Sequence, residues 1–121
     1  MNCINELNSR LKRGKNNGNI RFIDLVAQGY ENRQVNVFYQ NDFFKARVIA
    51  IEAGGKIPEC QMDTFVMFYV VKGEVFLRKN DETSVLKENQ VFITEPALLS
   101  MESKTGARLM GIQLKQGNYH N

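Results

Sequence analysis

Short stretches in which apolar and polar residues alternate extend from Ile20 to Leu114, and turn-forming residues separate them. A period of two predicts half-buried β-strands, because successive strand residues face opposite sides of a sheet. The alternation predicts nine or ten short strands, and no helical pattern follows residue 15. The predicted segments are 20–26, 35–39, 43–52, the stretch through Cys60 and Met62, 65–71, 75–77, 83–86, 91–94, 98–102 and 107–114.

Turn signals separate these strands at the spacing that is typical of β-sandwiches and barrels. Asn41-Asp42 and residues 79–82 predict hairpin connections, Gly54-Gly55 interrupts a strand, and Gly73 predicts a tight turn between two strands. A sheet of this size must close or stack to protect its edges. The chain is therefore predicted to be an all-β protein with a jelly-roll or closed-barrel architecture.

The two ends of the chain differ from this pattern. Ile4, Leu7 and Leu11 have helical spacing, which predicts a short N-terminal helix, and the basic stretch 10–15 predicts a solvated, flexible segment. Residues 117–121 form a polar tail. We divide the chain into an N-terminal segment (1–19), a β-barrel domain (20–116) and this tail (117–121), in keeping with the size of a single domain.

Residues 65–71 are apolar at every position, so this strand is expected to be covered on both faces. One face would lie in the barrel core. Met67, Tyr69 and Val71 would lie on the other face, where a second sheet layer or the partner in a homodimer would cover them, since interfaces favour Met and aromatic residues. Ordinary core packing is the alternative explanation.

The composition of the chain argues against several classes of partner. A net charge of +3, with no aromatic residues among the basic ones of the N-terminal segment, argues against nucleic acid. No apolar run is long enough to cross a membrane, and the N-terminus lacks the apolar region of a secretion signal. Cys3 and Cys60 are too few for a disulfide framework. These features predict a cytoplasmic protein with reduced thiols.

The stretch from Gly54 to Gly73, followed by Asn89-Gln90, a strand over 91–94 and the Glu95-Pro96 turn, resembles the two motifs of a small single-domain cupin. The resemblance covers about residues 43–115 and implies a double-stranded β-helix. With Gly54 as the first glycine of the first motif, Cys60 and Met62 stand at its two histidine positions. Val66 stands at its glutamate position, and the fourth ligand position falls at or near Ser100.

In metal-bearing cupins those positions hold a divalent ion through three histidines and a glutamate. Here they offer a thiol, a thioether, an aliphatic side chain and a hydroxyl, and the only histidine is His120 in the polar tail. Fe, Mn, Ni and Zn need imidazole and carboxylate ligands. We therefore expect no metal bound in the cupin manner and no cofactor. The lack of a nearby base also removes Ser-His-Asp and Cys-His catalysis.

Cys60 and Met62 lie two residues apart and face the same way, which the resemblance implies is inward. One hypothesis is a Cu(I) site, helped by Met101 or Met110, because thiolate and thioether ligands suit copper. The alternative is that both residues fill the core. Alternation from Met62 also directs Val66, Phe68 and Val70 inward, together with Ser100 and Phe92.

An interior of this kind suits a small, partly apolar ligand, although small barrels are often filled by their own side chains. Carboxylates near the predicted barrel mouth could supply an acid and a base, or they could be solvated turn residues: Glu52, Glu59, Asp63, Glu74 and Glu95.

The sequence therefore predicts a homodimeric cupin-like protein without the usual metal site, acting as a non-catalytic ligand-binding or interaction module. The alternatives are a metal-independent isomerase or epimerase acting on a small polar or sugar-derived substrate, and a Cu(I) protein.

Overall fold

The structure is a computed structural model that describes residues 18–115. The predicted N-terminal helix and polar tail lie outside the described residues. Between Gly18 and Lys115 no helix is long and apolar enough to cross a membrane.

Eight antiparallel β-strands make up most of this region, where the sequence predicts nine or ten. They are β1 (Val37–Gln40), β2 (Phe44–Ile51), β3 (Gly55–Met62), β4 (Val66–Lys79), β5 (Glu82–Lys87), β6 (Val91–Thr94), β7 (Ala97–Ser103) and β8 (Ala107–Leu114). The strand predicted over 107–114 and the hairpin predicted at 79–82 are confirmed. The helical segments among the described residues are two 3-10 helices, Phe22–Asp24 and Tyr30–Asn36.

The strands form a jelly roll because β4 is long enough to belong to two sheets. The first sheet has the order β1-β2-β8-β4-β6, and the second has the order β3-β7-β4-β5. The two sheets enclose one apolar inner core, contributed by residues such as Val70, Leu77 and Leu109, which are fully buried. The all-β barrel prediction is therefore confirmed.

Gly73 lies inside β4 and does not end a strand, so the predicted tight turn is wrong at this position. The pairing of β4 with β8 shifts between Val70 and Lys72, and Gly73 has a φ of +90°. A Cβ atom there would lie 2.2 Å from the carbonyl oxygen of Gly106. Only glycine allows the two backbones to approach so closely while the strand passes from one sheet to the other.

The first predicted strand, over residues 20–26, is also wrong, since this segment forms a 3-10 helix that packs on the outer face of the first sheet. Leu25 is buried there, in contact with residues of β2 and β8. The Arg108 guanidinium donates hydrogen bonds to the carbonyl oxygens of Phe22 and Leu25 and lies over the Phe22 ring. The Arg108 side chain thus binds carbonyl groups that would bond to a neighbouring strand if this segment were a β-strand.

The part of that outer face beside β6 is apolar and only partly covered, and we call it the outer patch. It comprises Phe65, Met67, Tyr69, Val71, Val91 and Ile93. Met67 pairs with Ile93 and Tyr69 pairs with Val91, so these side chains share one face. Ile93 is 65% exposed. The second covering layer that the sequence predicts for this strand is therefore not supplied by residues 18–115.

Candidate functional site

A cavity of about 550 Å³ lies inside the barrel, between the two sheets. Its wall is built from β2, β3, β4, β7 and β8, so both sheets contribute to it. Because alternate residues of each strand face inward, the pairing register decides which side chains enter this space.

The apolar part of the wall comes from β4, as the alternation predicts. Val66 and Phe68 are 3% and 9% exposed, belong to the inner core and line the cavity. Phe68 is paired with Gly111 of β8. A Cβ atom on Gly111 would lie 3.4 Å from the edge of the Phe68 ring and 3.1 Å from the Ile49 side chain. The glycine therefore lets this ring pack close to the barrel wall.

The thiol of Cys60 and the thioether of Met62 belong to the opposite wall. Cys60 pairs with Leu99 and Met62 pairs with Ala97, and both partners are buried inner-core residues. Directly paired residues face the same side of a sheet, so both sulfur-bearing side chains face inward. Met62 is half-buried, whereas Cys60 is exposed and its thiol is free. Solvent therefore reaches the cavity at Cys60.

Ser100 is a correction to the predicted inner wall. Its neighbours Leu99 and Met101 are the buried inner-core residues of β7, so Ser100 occupies the alternate face of the strand. It pairs with Arg78, which is exposed. Ser100 still borders the cavity, but the inward position beside Cys60 belongs to Leu99. The inward-facing residue opposite Cys60 therefore has an aliphatic side chain and not the predicted hydroxyl group.

Phe92 faces inward, because it pairs with Phe68 and packs against the inner core. It does not line the cavity, however. Of the six predicted site residues, the structure brings five to the cavity: Cys60, Met62, Val66, Phe68 and Ser100.

Two arginines that the sequence analysis did not single out also line the cavity. Arg47 is a half-buried residue of β2, and Arg33 is a half-buried residue of the second 3-10 helix. Arg47 alternates with Ala46 and Val48, which are buried in the outer cluster, so it shares the inward face with Ile49. The alternation contained this signal, but a charged residue in such a strand is normally assigned to solvent.

No protein-family model matches the sequence, and no curated protein matches it. Solved structures do match. A cupin-2 domain protein from Shewanella frigidimarina has a TM-score of 0.65 and 18% identity, over 79% of this chain and 94% of its own. A cupin superfamily protein from Desulfitobacterium hafniense has a TM-score of 0.63 and 15% identity, over 66% and 74%. The chain has the cupin fold. TT1209 from Thermus thermophilus is similar as well, with a TM-score of 0.68 and 15% identity over 78% and 93%.

The resemblance to cupins places Cys60, Met62 and Val66 at metal-ligand positions, with the fourth position at or near Ser100. These residues supply a thiol, a thioether, an aliphatic side chain and a hydroxyl, which do not make up the usual ligand set for a divalent metal. Among residues 18–115 no group of three or more His, Cys, Asp or Glu side chains could hold a metal ion. One thiolate and one thioether are too few ligands for a tetrahedral or octahedral divalent ion.

The two methionines considered as extra copper ligands lie on different sides of the cupin barrel. Met101 is buried on the inner wall and lines the cavity, whereas Met110 packs in the outer cluster and is excluded as a partner of Cys60. Met62 pairs with Ala97, four residues from Met101 along β7, which corresponds to about 13 Å of strand. The three sulfur-bearing residues therefore lie in a row along the wall instead of around one point.

Two of the five predicted carboxylates, Glu52 and Asp63, line the cupin cavity. Glu59, Glu74 and Glu95 do not. The Glu95 carboxylate accepts a hydrogen bond of 2.9 Å from Lys79 Nζ, and this contact holds the pKa of Glu95 below its usual value. Glu95 is therefore a charged surface group, and of the five predicted carboxylates only Glu52 and Asp63 could act on a molecule in the cavity.

Proposed function

We propose that this protein binds a small molecule with a partly apolar body in the barrel cavity, and that it does so without a histidine-bound metal. The cavity of about 550 Å³ carries this proposal. Small-molecule sites have volumes of roughly 300–1,000 Å³, apolar walls and a small number of polar groups. Val66, Phe68 and Leu99 supply such a wall, and the exposed Cys60 marks the entrance.

The packing of the aromatic residues favours an open barrel over a filled one. A plug made of Phe68, Met62 and Phe92 would leave no room for a ligand. Phe68 instead packs close to Gly111, and Phe92 lies outside the cavity wall. The interior volume therefore remains accessible from the side of β3.

Binding of a neutral apolar dye, N-phenyl-1-naphthylamine, tests the proposal through the increase in its fluorescence. We expect saturable binding at one site per chain. Cys60→Trp, which places an indole in the entrance, should weaken binding at least about tenfold, or about 1.4 kcal/mol. Val85→Trp is the matched control, since it adds the same indole to the exposed face of β5, outside both the cavity and the outer patch, and should leave the cavity site unchanged. Equal binding by the Cys60→Trp variant and the wild type would reject the proposal.

A metal-independent enzyme is the second candidate, and one observation favours it: Glu52 and Asp63 line the same cavity. Either carboxylate could move a proton on a bound small polar molecule. Once a ligand has been found, Glu52→Gln and Asp63→Asn should abolish its conversion without preventing its binding. Binding without conversion by the wild type would leave the binding module as the function.

The Cu(I) hypothesis is supported by the shared inward face of Cys60 and Met62, with Met101 further along the same wall. The spread of these sulfur atoms along the strands makes it the weaker alternative. An exposed free thiol also suits a reducing compartment, which supports the prediction of a cytoplasmic protein.

We further propose that a second copy of this chain covers the outer patch. Contiguous exposed apolar residues on a sheet face are typical of interaction sites. The patch includes β6, which pairs only with β4 among the described strands, so its outer edge is also available. A two-fold symmetric contact would place the same patch of both copies face to face and would protect both edges.

A further inference from the structure

We infer that the ligand of the barrel cavity is a small organic anion, in which a carboxylate, sulfonate or phosphate group is attached to an apolar body. This inference rests on the proposed function and names the chemical class of its ligand. It depends on how β2 and the second 3-10 helix place Arg47 and Arg33 at the cavity.

Arg47 is directed into the cavity by the register of β2. It is the direct partner of Gly111 on β8, which has no side chain. Ile49 and Ile51 follow it on the same face and pack in the inner core. The guanidinium is therefore attached to a strand of the barrel wall, next to apolar inner-core residues.

Arg33 approaches the same region from the adjoining segment. Its 3-10 helix leads into β1, where Val37 is the cross-strand partner of Arg47. The loop is closed by Asn36, whose Oδ1 accepts from the Gln28 amide at 2.8 Å and whose Nδ2 donates to the Gln28 carbonyl at 3.0 Å. Asn36 is 4% exposed, so its side of these hydrogen bonds is shielded from solvent, and the bonds hold the helix beside β2.

The charges around the cavity favour a negative group at this point. The charged side chains that line it are three cations, Arg33, Arg47 and Lys56, and two carboxylates, Glu52 and Asp63. The cations therefore outnumber the carboxylates along this wall, and both guanidinium groups belong to adjoining segments, β2 and the second 3-10 helix. A guanidinium has five N–H donors, so it can bind an anion while keeping other contacts.

A matched pair of dyes separates charge from apolar contact. 8-Anilinonaphthalene-1-sulfonate has the ring system of N-phenyl-1-naphthylamine with an added sulfonate. We expect Arg47→Met to weaken binding of the sulfonate dye at least about tenfold and to change binding of the neutral dye less than about twofold. Arg47→Lys should retain part of the preference. Lys87→Met, at an exposed cation outside the cavity, is the control and should change neither dye.

Three results would overturn the inference or its basis. If Arg47→Met weakens both dyes equally, or neither, no anion site exists at Arg47. If neither dye binds the wild type, the proposed function itself fails. If Arg47→Met does not fold, dye binding by Arg33→Met and the salt dependence of dye binding by the wild type test the anion site instead. Rising salt should then weaken the sulfonate dye and leave the neutral dye unchanged, and an equal response of both dyes would reject the anion.

Discussion

Cys60 of β3 and Leu99 of β7 are direct cross-strand partners, and this pairing turns the single free thiol among residues 18–115 toward the barrel interior. Leu99 is 5% exposed while Cys60 is open to solvent. The thiol therefore lies where the cavity meets water.

A ligand in the cavity should protect Cys60 from thiol reagents. In a Cys3→Ser background, we expect N-phenyl-1-naphthylamine at ten times its Kd to slow the reaction of Cys60 with Ellman's reagent about tenfold, since protection follows the bound fraction. A reaction rate that does not depend on the dye would place the bound dye elsewhere.

Gly73 should be far more sensitive to substitution than Gly54. Both have positive φ, +90° and +81°, but a Cβ on Gly73 would strike the Gly106 backbone, whereas nothing lies within 4 Å of one on Gly54. We expect Gly73→Ala to lower the free energy of unfolding by about 3 kcal/mol or more, and Gly54→Ala by about 1 kcal/mol. Urea denaturation measures both, and equal losses would contradict the role of Gly73 in β4.

The sequence was a sufficient guide wherever neighbouring residues determine the conformation. The strand over 107–114 and the turn at Asn80, which has a φ of +56°, follow from local alternation and turn chemistry. Gly73 could not be placed from the sequence, because the glycine is required by a close approach of Gly106, distant in the chain. The 20–26 segment likewise depends on Arg108, which satisfies its carbonyl groups.

The inward direction of a side chain can be predicted from the sequence where a glycine fixes the register of its strand, and cannot be predicted where no such marker exists. Gly54 fixes the register of Cys60 and Met62, whose inward direction follows. No such glycine fixes β7, so the inward position was assigned to Ser100 when it belongs to Leu99. The alternation of β2 does not reveal which face is covered by residues 20–27 and which encloses a cavity, so it does not single out Arg47.

The outer patch should make the protein a dimer. We expect Ile93→Lys to raise the dimer dissociation constant at least about 30-fold, or about 2 kcal/mol, because it places a charge in an apolar contact. Val85→Lys on β5, exposed but outside the patch, should have no effect. Sedimentation equilibrium measures both variants, and a monomeric wild type would remove the proposed contact.

The side chains that line the cavity predict that the protein does not retain the usual cupin metals. After incubation with Fe²⁺, Mn²⁺, Ni²⁺ or Zn²⁺ and desalting, elemental analysis should find well below one ion per chain, since no group of three or more His, Cys, Asp or Glu side chains among residues 18–115 could hold one. Stoichiometric retention of any of the four would contradict this account.

Copper provides the internal control for that measurement. If the Cu(I) alternative holds, the wild type retains one Cu(I) and Cys60→Ser retains none. Equal uptake by the two proteins would dismiss a site at Cys60.

A crystal structure of the protein grown with 8-anilinonaphthalene-1-sulfonate would show directly whether the barrel binds an organic anion. We expect one dye molecule inside the barrel, with its rings against Phe68 and Leu99 and its sulfonate at Arg47. Dye found only on the outer patch, or a barrel interior filled by its own side chains, would contradict this expectation.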